Sequence, residues 1–132
     1  MPQRHQTLIM NYTKQQVIQT VLKVLEELDK TDVTKLSLNE KRKLALDKRT
    51  TPETLTALSS DKDVSVRYFV AENPNTSPET LTLMSKDKNY SVRYHVAKNP
   101  NTSSETLTLM ASDGNPSVRK LAKENLNYKP NV

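Results

Sequence analysis

Aspartates and arginines recur in this chain at a fixed interval, at Asp61, Asp87 and Asp113 and at Arg67, Arg93 and Arg119, with 26 residues between successive members of each set. Carboxylates of this kind can do acid–base work and guanidiniums can hold anions, so the first question is whether they converge. General acid–base catalysis requires carboxylates gathered at one pocket. These are strung along the chain instead. Adjacent helical layers would place the three arginines about 8–10 Å apart in a file along one side. That file reads either as a basic comb for phosphates or an acidic partner, or as a set of braces in which each arginine pairs with an aspartate of the parallel ladder. The acids share the period, which favours the braces.

The position after each arginine holds Tyr68, Tyr94 and Lys120, turned about 100° away along a helix. Tyrosine carries a flat apolar body with a polar tip, suited to recognising a protein or a stacked base and equally to partial burial between repeats. His95 stands where Phe69 and Leu121 stand in the neighbouring units, which marks it as a packing position. His5 is the one other histidine, in the N-terminal stretch, so neither a metal cluster nor a nucleophile pairing is expected. The run Lys41-Arg42-Lys43-Leu-Ala-Leu-Asp-Lys48-Arg49 is a candidate anion or nucleic-acid contact, against the plainer reading of a solvated helix face. Gly114 is the single glycine, which excludes a glycine-rich phosphate cradle, and the absence of cysteine excludes disulfides, thiolate nucleophiles and cysteine metal sites.

The elements that position these residues follow from the same interval. Pro-Glu-Thr-Leu begins at Pro52 and Pro78, Ser-Glu-Thr-Leu at Ser104, and Ser-Val-Arg at Ser65, Ser91 and Ser117, all in one 26-residue register. Within each unit Val66 and Val70, or Val92 and Val96, lie four apart on one helical face. Asp63, Asn89 and Asn115 supply caps, and Asn73-Pro74 and Asn99-Pro100 stop the helix, because proline disfavours helical geometry before it and asparagine tolerates left-handed dihedrals. The second segment starts Thr76-Ser77-Pro78-Glu79 and spaces Leu81 and Met84 by three, which suits a tight turn or 3₁₀ segment. A strand through Leu81-Thr-Leu83 is the rival. Upstream, Thr13 and Gln16 form a capping box for a helix to about Asp29 with an apolar stripe of Val17, Val21, Leu22, Leu25 and Leu28.

A chain of 132 residues with 34% hydrophobic content fits a single domain built of thin stacked layers better than a thick core. Its net charge of +5 divides unevenly: residues 1–50 hold 10 Lys/Arg against 6 Asp/Glu, and residues 51–132 hold 10 against 9. The basic excess therefore precedes the repeats, which weakens a nucleic-acid reading of the repeats themselves. No apolar run resembles a signal peptide or a membrane span, so a cytoplasmic location is expected, with the Asn-x-Ser/Thr triplets serving as turn and cap chemistry.

The combination Asp-x-x-x-Ser-Val-Arg, then Val-Ala, Asn-Pro-Asn-Thr and Pro-Glu-Thr-Leu, seen from Asp61 to Leu81 and from Asp87 to Leu107, resembles the leucine-rich repeat variant family and, more loosely, short HEAT-type units. The resemblance covers about Leu44 to Asn125. It implies an all-α fold, a short right-handed α-solenoid alternating α-helix with short 3₁₀ or α-helix. Some members hold an iron–sulfur centre on an N-terminal cysteine cluster; lacking cysteine, this chain is expected to carry no cofactor. The expected organisation is a tail and capping helix over 1–36, a repeat solenoid over 37–125 and a loose tail over 126–132. The expected function is a non-enzymatic protein–protein interaction or structural module presenting Arg67, Tyr68, Arg93, Tyr94, Arg119 and Lys120 to a protein partner, with self-association through the solenoid ends left open. The alternative is a nucleic-acid binder using Lys41, Arg42, Lys43, Lys48 and Arg49 together with the arginine file.

Overall fold

The computed structural model describes residues 12–28 and 32–130, without the side chains of 25–28. His5 and the Asn11 triplet lie outside those residues, as do the side chains of Leu25 and Leu28. Among the described residues the fold is all-helical, with eight α-helices, one 3₁₀ turn and no strand. They divide into two compact units, one ending at Thr31 and one starting at Asp32.

The first unit is helix α1, Lys14–Leu28. Its capping box is formed: the Gln16 N–H donates to Thr13 Oγ1 at 3.1 Å and the Thr13 N–H to Gln16 Oε1 at 2.8 Å. The stripe residues Val17, Val21 and Leu22 are about half exposed.

The second unit opens with the 3₁₀ turn Val33–Lys35, whose Val33 packs on the core. Long helices follow at α2 (Leu38–Leu46), α4 (Val64–Glu72), α6 (Tyr90–Lys98) and α8 (Pro116–Glu124), alternating with short ones at α3 (Pro52–Leu58), α5 (Pro78–Met84) and α7 (Ser104–Met110). The short segments are seven-residue α-helices, not 3₁₀ turns or strands. Hydroxyl caps at Thr51, Ser77 and Ser103 accept the N–H three residues on, and proline fits directly after two of them because the first helical position has no intrahelical acceptor to lose. The long helices start on Ser37, Asp63, Asn89 and Asn115. They stop at Asp47, Asn73, Asn99 and Asn125 in extended geometry, and no described residue takes a left-handed φ. Before Pro74 and Pro100 the pre-proline restriction favours this geometry, Asp47 and Asn125 adopt it without a following proline, and the left-handed tolerance of asparagine is used at none of the four.

Each long helix packs on the next, α2 on α4, α4 on α6 and α6 on α8, and each short helix packs on the long helix that follows it. Val66, Val70, Ala71, Val92, Val96, Ala97, Val118 and Ala122 from the long helices meet Leu55, Leu58, Leu81, Met84, Leu107 and Met110 from the short ones in one continuous core. Valine and alanine keep the helix spacing small, so thin layers bury their apolar side chains completely.

Polar side chains sew neighbouring layers together. Asn73 donates from Nδ2 to the carbonyls of Ala45 and Asp47, Asn99 to those of Ala71 and Asn73, and Asn125 to those of Ala97 and Asn99, all at 2.8–3.0 Å. These are carbonyls at helix C-termini, which no helical N–H can reach. Buried Thr76 and Thr102 close the same turns by donating to Val70 and Val96 carbonyls at 2.6 Å. Asn75, Asn101 and Asn127 form a second ladder, reaching the carbonyls of Thr50, Thr76 and Thr102. The last rung lies in the segment expected to be loose. Tyr128 also packs on the core, so the described part of that tail is held by the same chemistry as the repeats.

Candidate functional site

Arg67 donates from Nε to Asp87 Oδ2 at 2.8 Å and Arg93 to Asp113 Oδ2 at 2.9 Å, so each guanidinium clamps the aspartate twenty residues on, in the following layer. The remaining donors turn inward: Nη1 of Arg67, Arg93 and Arg119 bonds the carbonyls of Asp61, Asp87 and Asp113. The first rung of the file is Lys41, whose Nζ meets Asp61 at 2.8 Å. Lys41 stands one repeat before Arg67, a register hidden in the sequence by the basic run around it. Arg119 carries no ion pair among the described residues.

The carboxylates respond to this setting. Burial raises the Asp61 pKa, but hydrogen bonds from Lys41 and the Asp63 N–H outweigh it and hold the group below the usual carboxylate range. At Asp113 burial again works upward and is outweighed by Arg93 and the Asn115 N–H. Each aspartate of the ladder also accepts the N–H two residues on, fixing the turn that enters the next helix. Engaged on two sides, these groups are layer joints.

Of the candidate anion-binding run, Lys41 holds Asp61, Arg42 donates to Ser65 Oγ at 2.8 Å, and Arg49 makes a bidentate contact with Asp47. That Arg49 hydrogen bond is the chief cause lowering the Asp47 pKa. Lys43 and Lys48 are exposed to solvent. Three of the five bases of the run are thus engaged in contacts within the chain.

Tyr68 and Tyr94 are half-buried and packed on the core, while Lys120 is exposed and lies 4.0 Å from Glu124. His95 joins them: its ring meets Tyr68 edge-on at 4.1 Å between centroids and Tyr94 at 5.2 Å. Burial lowers the His95 pKa, Glu72 works against that and Lys98 adds to it. Among the described residues no three metal-ligating side chains gather, and no helix is long and apolar enough to cross a membrane.

What the arrangement offers is a face. Residues four apart share one side of a helix, so Val64 lies beside Tyr68, Tyr90 beside Tyr94 and Pro116 beside Lys120. The outer column of that pair was not singled out from sequence. Leu38 at 40%, Val64 at 41% and Tyr90 at 54% exposure occupy the first position of successive long helices, with exposed Pro116 after them. The signal was available, since each stands four residues before Arg42, Tyr68, Tyr94 or Lys120. No family model, curated protein or solved structure matches the chain.

Proposed function

We infer that this protein is a non-enzymatic interaction module, its helical layers stacked as a short right-handed α-solenoid of the kind the leucine-rich repeat variant family implies. The observation that carries this reading is the division of labour between faces. Spaced in a fixed register, Asp87 and Asp113 with Arg67 and Arg93, and Asn73, Asn99 and Asn125, are occupied in joining layers, while a column of apolar and aromatic side chains is left outward on successive long helices. A repeated surface with a rigid backing suits recognition of another protein. The partner-facing residues are Tyr68, Tyr94 and Lys120 with the outer column beside them. Arg67 and Arg93, being clamped, act as supports. The engagement of Lys41, Arg42 and Arg49 within the chain speaks for a protein partner over nucleic acid.

Affinity capture from the source cells tests this. A protein retained by the wild type is expected to be lost with Tyr94→Ala plus Lys120→Glu while the far-UV helical signal stays unchanged. If everything retained by the wild type is retained equally by that variant, the reading is wrong.

A further inference from the structure

The outer edge of the long helices has a charge pattern that specifies its partner more closely than an apolar column does. This step rests on the interaction-module reading above. Every aspartate in the turns entering α4, α6 and α8 is already paired or capping: Asp61 with Lys41, Asp87 with Arg67, Asp113 with Arg93, and Asp63 with the start of α4. The lysines interleaved with them, Lys62, Lys86 and Lys88, are exposed and carry no ion pair among the described residues. The N-termini of α4 and α6 add positive potential at the same edge. Lys62 and Lys88 line a shallow groove together with Ser60, Asp61 and the Arg67–Asp87 pair, and Val64 and Tyr90, each two residues after one of these lysines, are exposed at the start of the helix that follows.

The repeat also sets a length. Packed helices lie about 8–10 Å apart, and a polyproline II segment advances about 9 Å per turn of three residues. A carboxylate on every third residue of such a segment would meet Lys62 and then Lys88 without strain. An apolar residue between them would lie on Val64 and Tyr90, since aromatic side chains favour this conformation's ridged surface.

We propose that this edge binds an extended acidic segment of a partner protein in polyproline II conformation, one carboxylate engaging Lys62 and the carboxylate three residues on engaging Lys88, with intervening apolar side chains resting on Val64 and Tyr90.

The test is fluorescence anisotropy on the full chain with a labelled peptide of Glu-Pro-Leu triplets. A peptide of the same composition with its glutamates moved out of the triplet spacing, and a single-stranded DNA of similar charge, serve as competitors. The triplet peptide is expected to bind about fivefold or more tightly than the shuffled one, because spacing rather than net charge is being read. Its affinity is expected to fall about tenfold with Lys62→Gln plus Lys88→Gln, several-fold with Tyr90→Ala, and progressively as salt rises. Equal affinity for both peptides, no response to the lysine variant, or stronger binding of the DNA overturns the proposal. A captured partner lost with Tyr94→Ala plus Lys120→Glu but indifferent to Lys62→Gln plus Lys88→Gln overturns this proposal and leaves the interaction module standing. A captured partner indifferent to both double variants removes both.

Discussion

Asn99 sits at the end of one long helix and donates both hydrogens of its amide to the preceding layer, to the Ala71 carbonyl at 2.8 Å and the Asn73 carbonyl at 3.0 Å. The side chain is almost fully buried, so both acceptors lie away from water. Asn99→Ala is expected to cost about 1–3 kcal/mol, because the buried Ala71 carbonyl loses its donor while the Asn73 carbonyl keeps only the Thr76 N–H. Asn99→Asp should cost more at neutral pH, because a carboxylate has no hydrogen to give and would face two carbonyl oxygens. The excess should shrink in acid as that group protonates. Urea unfolding at pH 7 and pH 4 measures both. If Asn99→Asp proves no worse than Asn99→Ala at pH 7, the donor role is contradicted.

The layer-joining carboxylates predict how the protein responds to acid. Asp61 and Asp113 are held below the ordinary carboxylate range in the folded state, so below about pH 4 the unfolded chain binds more protons and stability rises with pH. Their contribution is complete above that ordinary value and is lost as pH falls through the folded one. Asp113→Asn should therefore destabilise by about 1–3 kcal/mol at pH 7, since Arg93 loses a largely buried partner. The gap to wild type should close as pH falls below about 4. Urea midpoints across the range from about pH 2.5 to pH 7 decide it. Curves that stay parallel would sink the assignment.

How far this structure can be read from residue order alone differs by kind of interaction. Helix starts are legible because a cap acts within three residues: Ser77, Asn89 and Asn115 do locally what their types imply. The arginine–aspartate braces are legible as a class because both sets share one period. Their pairing with the following layer is not, since it depends on how one helix lies on the next. Asn73 and Asn99 look like chain punctuation, yet their main contact is with carbonyls 26 and 28 residues earlier, a relation that no local window contains. The form of the short helices is hidden for a related reason. Leu55 and Leu58, three apart, fit a 3₁₀ turn equally well, and burial against the neighbouring long helix extends the α form. At the surface the tyrosine column is visible but the Val64 and Tyr90 column beside it is not, because apolar residues at helix starts read by default as core.

His95 supplies a second pH effect, in a higher range. Its ring packs against Tyr68 and Tyr94, with Glu72 and Lys98 the charged groups acting on it, and burial lowers its pKa below the ordinary value near 6.5. The unfolded chain therefore binds the proton more readily, and stability should fall as pH drops through about 6.5 toward the folded value. His95→Phe, which repeats what Phe69 already does in the preceding layer, should remove that dependence. The melting temperature is expected to rise more at about pH 5 than at about pH 8. An equal gain at both values would mean that the histidine is not titrating in this range.

Exposed leucines on the short helices provide a contrasting case. Leu83 and Leu109 are 73% and 72% exposed, one repeat apart, whereas Leu81 and Leu107 two residues earlier are fully buried. Leu83→Ser and Leu109→Ser together should change stability by no more than about 0.5 kcal/mol per site. Leu81→Ala or Leu107→Ala should each cost about 2–5 kcal/mol, the transfer of the missing methyl groups plus the cavity they leave. The comparison tests which side of the short helix is structural, using positions only two residues apart. A large loss from the serine pair would place Leu83 and Leu109 in a packed interface.

The segment after Asn125 offers a test of how far the layer chemistry extends. Asn127 donates from Nδ2 to the carbonyls of Pro100 and Thr102, as Asn101 does to the layer before it, and Tyr128 adds apolar contact with the core and an N–H bond to the Asn125 carbonyl. Tyr128→Ala is expected to cost about 1–2 kcal/mol, less than a full aromatic deletion because the ring is only half-buried. Asn127→Ala should cost about 1 kcal/mol, since its acceptors are partly reached by water. The two residues touch the same layer, so their double variant should fall short of additivity. Hydrogen exchange at Asn125 and Leu121 then separates a tied tail from a loose one: faster exchange there in the Tyr128→Ala variant is the outcome expected of a segment that closes the last helix, and unchanged exchange would return it to the status of a loose end.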